Sequence, residues 1–202
     1  MIKSVISDLG RVMIHFDNRI FFRRMELYSD YTAEEMEEMV DQYLPTLRAF
    51  DEGLIPPAEF HRRVTGILRT GIDADVFFPM YNDVFSLIPG NLEVLKSLKD
   101  KYRMVLFSNT DVERYAFIIR KFPEILFFDE YVLSYEVGIM KPHPDIYKVV
   151  VERAKAKPEE CVFIDDREEN IAAAVELNIC TIHLLPDTDL SGELSRLGVV
   201  PG

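Results

Sequence analysis

The sequence has almost no cysteine, too little basic charge to coat a polyanion, and no apolar run of membrane-spanning length. Its two cysteines, Cys161 and Cys180, are too few for a disulfide framework. Each stands in an apolar run that reads as buried strand or its approach. A reducing cytoplasm is the compartment this pattern predicts. Lys and Arg number 23 against 35 Asp and Glu, a net charge of −12. Such a balance argues against nucleic-acid or anionic-membrane partners, whose phosphates reward a basic face. It leaves open a small phosphorylated ligand, for which a few placed cations and a divalent metal suffice. No apolar run approaches the roughly 20 residues that a membrane helix requires. Near the N-terminus, Asp8 and Gly10 interrupt the chain before an apolar stretch of signal-peptide length forms. Repeats and low-complexity segments are missing too. With 202 residues, 48% of them apolar and 29% charged, the composition is that of a folded domain, alone or with a smaller insertion.

What is present is alternation. Short apolar runs rich in β-branched or aromatic residues occur at Ile2–Ile6, Met104–Phe107, Glu130–Leu133, Cys161–Ile164 and Thr181–Leu185. Helical spacing precedes the last four, over Asn91–Lys99, Val112–Lys121, Asp145–Lys155 and Asn170–Leu177. Strand and helix in this rhythm predict an α/β fold, a Rossmann-like three-layer core around a mostly parallel sheet. Between about Phe16 and Pro89 the rhythm breaks. There Ala33–Leu44, Pro57–Leu68 and Asp75–Phe85 read as amphipathic helices, separated by Asp51-Glu52-Gly53 and Thr70-Gly71. About 70 mostly helical residues are too many for a simple crossover. The expected organisation is a core of residues 1–15 and 90–202, with a small helical cap, 16–89, inserted after the first strand. Within it, Glu34-Glu35-Met36-Glu37-Glu38 reads as the solvated face of a cap helix.

Open parallel sheets bind ligands at the carboxyl ends of their strands. Ser7-Asp8-Leu9-Gly10-Arg11 follows the first apolar run, Ser108-Asn109-Thr110 the second, and Asp165-Asp166 ends the fourth. Lys141 lies in the loop after the third. Asp8, Asp165 and Asp166 at neighbouring strand ends would repel unless a proton or cation sat among them. An oxygen-only donor set with few protein ligands suits Mg²⁺, which keeps waters and takes up substrate phosphate. Ser108, the amides around Asn109 and Lys141 offer donors to a phosphoryl group. A carboxylate nucleophile, a divalent metal and a ring of donors are the parts that phosphoryl transfer needs.

Taken together, Asp8-Leu9-Gly10-Arg11-Val12, Leu106-Phe107-Ser108-Asn109-Thr110, Gly138-Ile139-Met140-Lys141-Pro142 and Val162-Phe163-Ile164-Asp165-Asp166 with Asn170 resemble, in order, the four motifs of the haloacid dehalogenase (HAD) superfamily. The resemblance covers essentially the whole chain, the inserted cap included. The wording looks most like the bacterial α-D-glucose-1-phosphate phosphatase branch, and the phosphatase domain of soluble epoxide hydrolase is similar. It implies that Asp8 attacks phosphorus and forms an aspartyl-phosphate. It further implies that Asp8, Asp166 and the Gly10 carbonyl hold Mg²⁺, with Asp165 supporting the metal site. Ser108 and Asn109 would bind the phosphoryl oxygens, and Lys141 would neutralise charge on nucleophile and phosphate. Asn170 stands where many relatives carry a further acid.

One departure is Gly10, where most phosphatases of the family carry a second Asp as general acid and base. It favours good leaving groups, such as an anomeric or acyl phosphate, or a proton donor from elsewhere. Asp17 and His15 at the cap hinge are candidates, as well as an ordinary helix cap and a packed hinge residue. For the substrate, Arg48, Tyr43 and His61 are cap residues that could face the cleft or simply a helix surface. A cap of this size favours small soluble substrates. The expected function is a Mg²⁺-dependent phosphatase acting on a small phosphorylated metabolite, a sugar phosphate first of all, as a monomer or weak homo-oligomer. The alternatives are a catalytically impaired phosphate-binding protein, which Gly10 keeps open, and a haloacid dehalogenase. The latter has no use for the Asp165-Asp166 pair.

Overall fold

The computed structural model describes residues 1–202. The chain runs β1 (Ser4–Ser7), β2 (Ile14–Phe16), α1 (Arg19–Met25), α2 (Ala33–Glu38), α3 (Val40–Asp51), α4 (Pro57–Ile67), α5 (Ala74–Asn82) and β3 (Phe85–Leu87). It continues through α6 (Pro89–Lys96), β4 (Arg103–Ser108), α7 (Val112–Lys121), β5 (Glu130–Leu133), α8 (Ser134–Val137) and α9 (Pro144–Ala154). It ends with β6 (Cys161–Asp165), α10 (Glu168–Glu176), β7 (Cys180–His183) and α11 (Leu190–Arg196). Five strands form one parallel sheet in the order β5-β4-β1-β6-β7. No helix is long and apolar enough to cross a membrane.

Alternation along each strand decides the layers, because successive side chains point to opposite faces. Ile6, Val105, Phe107 and Phe163 pack on one face with Ile146, Tyr147 and Val150 of α9 and Ala174 of α10. Val5, Met104, Leu106, Val162 and Ile164 pack on the other with Leu92 and Leu95 of α6, Ile118 of α7 and Leu194 of α11. That second cluster runs on without a break into the inserted helices, through Phe21, Phe50, Phe60 and Phe77. Strand order β4-β1-β6 brings the loops after Ser7, Ser108 and Asp165 side by side, the convergence the sequence predicts.

Several elements depart from the expectation. The chain enters and leaves the helical segment on a two-stranded antiparallel ribbon, with Ile14, His15 and Phe16 of β2 opposite Leu87, Ser86 and Phe85 of β3. The boundary drawn between residues 15 and 16 therefore falls inside β2, and α5 stops at Asn82 instead of reaching Phe85. The expected helix Ala33–Leu44 breaks at Met39, and α3 continues past Pro45 to Asp51. The C-terminal segment docks on the core: Leu190, Leu194 and Val199 are buried, and Val200 N–H donates to Tyr102 Oη at 3.2 Å.

After α3 the chain turns through Gly53 at φ +67°, where a Cβ would stand 2.2 Å from the Tyr135 carbonyl oxygen of α8. Left-handed backbone alone costs a residue with a Cβ about 1–2 kcal/mol, and the clash adds to it. Gly53→Ala is therefore expected to destabilise by more than about 2 kcal/mol, lowering Tm by roughly 4–8 °C for a chain of this size. Thermal unfolding followed by circular dichroism checks it.

Candidate active site

Asp8 follows the last residue of β1 and is held in place by its own backbone, whose N–H donates to Ile164 O of β6 at 2.9 Å. Arg11 turns back at φ 55°, with its N–H on Ile14 O at 2.6 Å, so the loop after Asp8 is short and closed. The Lys141 ammonium reaches this point from the loop after α8 and donates to Asp8 Oδ1, Asp165 Oδ2 and Phe107 O, each at 2.8 Å. All three of its donors are thereby used. The charge lies 4.9 and 5.4 Å from the ring centroids of Phe107 and Phe163. Burial works against that charge, yet Asp8 and Asp165 outweigh it and raise the Lys141 pKa. Burial pushes the Asp8 carboxyl up to about 7, with Lys141 pulling the other way and Asp165 adding to the rise.

Two asparagines hold this arrangement. Asn109 donates through Nδ2 to Lys141 O at 2.9 Å and accepts from Lys141 N–H at 2.8 Å, clamping the lysine's backbone beside the cis Lys141–Pro142 peptide. Asn170 Nδ2 lies 3.0 and 3.1 Å from the two carboxylate oxygens of Asp165, and its own carbonyl accepts from Tyr147 Oη at 2.9 Å. Asp165 Oδ1 also accepts from Arg167 N–H at 2.9 Å. Both its oxygens are thus engaged, which sets it apart from Asp166.

The carboxylates of Asp8, Asp165 and Asp166 each offer an oxygen within 4.8 Å of the others. Burial and then Asp165 raise the Asp166 pKa, while Arg11, at 3.7 Å, opposes the rise. Three carboxylates against one buried ammonium leave negative charge uncompensated, and hard oxygen donors fit a hard divalent cation. Asp8 and Asp166 are the carboxylates of the three with room to hold it, and Gly10 lines the same cavity beside them. The donors for an anion lie alongside. Ser108 is buried at the end of β4, and Ser108, Asn109, Lys141, Arg167 and Gly10 line one cavity, which residues of α3 also line and which has a volume of about 780 Å³.

Of the cap residues considered from sequence, Arg48 lines this cleft. Tyr43 and His61 do not. Tyr43 is buried, donating to Met36 O at 3.1 Å, and a ring nitrogen of His61 contacts Ile72 O at 3.0 Å. His15 is exposed on β2, and Asp17 accepts from Arg19 N–H at 3.0 Å as a local cap. Neither lines the cleft. Asp51, Arg114 and Asn18 do line it and were not singled out from sequence. Asp51 reads as part of a turn, and Arg114, three residues past the N-cap Asp111, reads as an ordinary helix cation.

A family profile described as haloacid dehalogenase-like hydrolase matches residues 16–178, and the chain belongs to that family. The matched stretch begins after Asp8, whose place in the site rests on the geometry. Over 204 residues the chain is 24% identical to the D-ribitol-5-phosphate phosphatase of Bacteroides thetaiotaomicron, covering 96% of this chain and 98% of that protein. It is 28% identical over 151 residues to flavin mononucleotide hydrolase 1 of Arabidopsis thaliana, covering 74% of this chain and 61% of the relative. A solved HAD family enzyme of Bacteroides thetaiotaomicron, in complex with magnesium and inorganic phosphate, matches with a TM-score of 0.83 and 28% identity. That match covers 96% of this chain and 99% of the solved one.

Removing one member of a buried ion pair leaves its partner's charge unpaired, at a cost of about 3–5 kcal/mol. Asp165→Ala is expected to lose that much, because Lys141 keeps its burial and loses half its compensation. Urea unfolding at neutral pH measures the loss, which should show in the midpoint with little change in slope.

Proposed function

We propose that the protein is a Mg²⁺-dependent phosphatase that hydrolyses a small phosphorylated metabolite, a sugar or polyol phosphate, through an aspartyl-phosphate on Asp8. The observation that carries this reading is the Asp8 carboxylate itself. It is buried at a strand end, bound on one oxygen by Lys141, and surrounded by donors suited to a phosphoryl group. The helical segment between β2 and β3 acts as the cap over that end of the sheet.

In this reading an Asp8 oxygen attacks phosphorus while the bond from phosphorus to the leaving oxygen breaks, giving an acyl phosphate and an alcohol. Lys141, with every donor already committed, contributes fixed positive charge and aim rather than a proton. The Ser108 hydroxyl and the Asn109 amide donate to the phosphoryl oxygens, and the Asn109 side chain stays on Lys141. Water then attacks the acyl phosphate, releasing inorganic phosphate and restoring Asp8. When bound by Asp8, Asp166 and the Gly10 carbonyl, Mg²⁺ supplies neutralisation between carboxylate and phosphoryl charge. Asp165 orients Lys141. Gly10 has no acid to offer, so the leaving oxygen takes its proton from another donor.

The relatives support a phosphate monoester of a polyol. D-ribitol 5-phosphate and flavin mononucleotide, named for the two curated relatives, both carry phosphate at the end of a five-carbon polyol chain. The test is phosphate release from p-nitrophenyl phosphate and from D-ribitol 5-phosphate, with Mg²⁺ and with EDTA. Release is expected to require the metal and to fall by more than about 10³-fold in Asp8→Asn. Folded protein that binds phosphate but releases none from either ester would make it a phosphate-binding protein in which Gly10 marks a lost activity.

A further inference from the structure

The cleft is also lined by a carboxylate and a guanidinium that the reaction above does not use. Asp51 closes α3, Arg114 lies in the first turn of α7, and both line the cavity shared with Ser108, Asn109 and Lys141. The backbone of Asp51 is tied to the phosphate loop. The fully buried Ser134 hydroxyl donates to Asp51 O at 2.6 Å and accepts from Thr110 N–H at 2.9 Å, two residues past Ser108. The Asp51 carboxylate, by contrast, has no hydrogen-bond donor and no ion pair. Burial, then the neighbouring Asp111, push it up to about 7, with Arg114 opposing and Glu52 adding.

Arg114 is fixed by its surroundings. Its guanidinium lies 4.0 Å from the Tyr81 ring centroid and 5.6 Å from that of Phe85. Nη2 donates to Asn18 Oδ1 at 3.0 Å, and Tyr81 Oη is itself held on Asp111 Oδ2 at 2.8 Å. Its Nε is buried without a partner. Asp51, held through its backbone, and Arg114, held through the Tyr81 ring and Asn18, thus line one cavity and do not pair with each other. Desolvated polar groups without partners are costly, and proteins keep them chiefly where function needs them.

We propose that Asp51 and Arg114 read the leaving group, Asp51 bonding one hydroxyl and Arg114 donating to the oxygen of its neighbour. They thereby select a polyhydroxylated phosphate ester over an apolar one. The inference rests on the phosphatase reading and adds the residues that choose the substrate class.

D-ribitol 5-phosphate and n-pentyl phosphate test it, since they share chain length and ester and differ in their hydroxyls. The ratio of their kcat/KM values, measured with Mg²⁺, is expected to fall about 10- to 100-fold in Asp51→Ala and in Arg114→Met, the loss typical of one charged hydrogen bond. An unchanged ratio overturns the proposal, including the case in which both esters slow equally, as loss of a proton donor or of structure would produce. The same comparison is made without turnover by calorimetric titration of both esters into Asp8→Asn and into its double variant with Asp51→Ala. If wild type fails to hydrolyse p-nitrophenyl phosphate, the phosphatase reading fails. The binding preference for the pentitol ester, lost in the double variant or not, still decides the role of Asp51.

A second readout separates a binding role from a structural one. The folded carboxyl holds its proton up to about 7, whereas the unfolded one releases it near 4. The charged form therefore costs stability increasingly as pH rises between those values, and the full cost is present above the folded value. Asp51→Asn is expected to raise Tm at pH 8 and to change it little at pH 4. A lower Tm at pH 8 would make the carboxylate a structural group and overturn the proposal.

Discussion

The arrangement of the site depends on one buried ammonium. Lys141 is the one Lys or Arg among the buried residues of a chain with net charge −12. It stands where β1, β4 and β6 present their carboxyl ends. With Asp8, Asp165 and the Phe107 carbonyl as partners, it joins three strands that are far apart in sequence. Without it two desolvated carboxylates would face each other with no buried cation between them. Asn109 and Asn170 matter for the same reason. They fix the lysine's backbone on one side and its second carboxylate on the other, so the Asp8 carboxylate is oriented by the protein itself.

The two ends of the cleft follow different physical logic. Around Asp8 the groups of Lys141, Asp165, Asn109 and Asn170 satisfy one another, and what is left over is negative charge for a cation and donors for an anion. Where α3 and α7 line the cleft, the Asp51 carboxylate is left without a partner. Ser134 ties the backbone carbonyl of Asp51 and leaves its carboxylate free, while the Tyr81 ring and Asn18 support the Arg114 guanidinium. A generic reaction needs a closed network, whereas discrimination between leaving groups needs partners left open for the ligand to complete.

Much of the core was legible because its signals are local. Runs such as Met104–Phe107 and Cys161–Ile164 are apolar on both faces, as central parallel strands must be. The residues that follow them are the ones the sheet brings together. The ribbon β2–β3 was not legible. Three-residue strands are too short to show a period, and Phe85 merged with the helical pattern before it. The break at Met39 escaped notice because no Gly or Pro marks it, and Pro45 lies within α3 although it removes a helix donor. The helix α11 was passed over because Leu190 and Leu194 alone give one apolar turn, which becomes a signal only when a surface such as Tyr102 receives it.

By itself the sequence determined the parallel α/β core and the run of inserted helices, and it marked Asp8, Ser108, Lys141, Asp165 and Asp166 as polar residues at or near strand ends that the sheet would bring together. These follow from period, from strand ends and from residue type, all of which lie within a few positions of each other. Tertiary structure alone decided that Asn109 clamps Lys141, that Tyr43 and His61 turn away from the cleft, and that Asp51 and Arg114 face it. Those outcomes are set by contacts such as Ser134 with Asp51, 83 residues apart, and Arg114 with Asn18, 96 apart. No local pattern encodes which side chain a packed neighbour leaves room for, so the face a residue presents emerges only when the whole core closes.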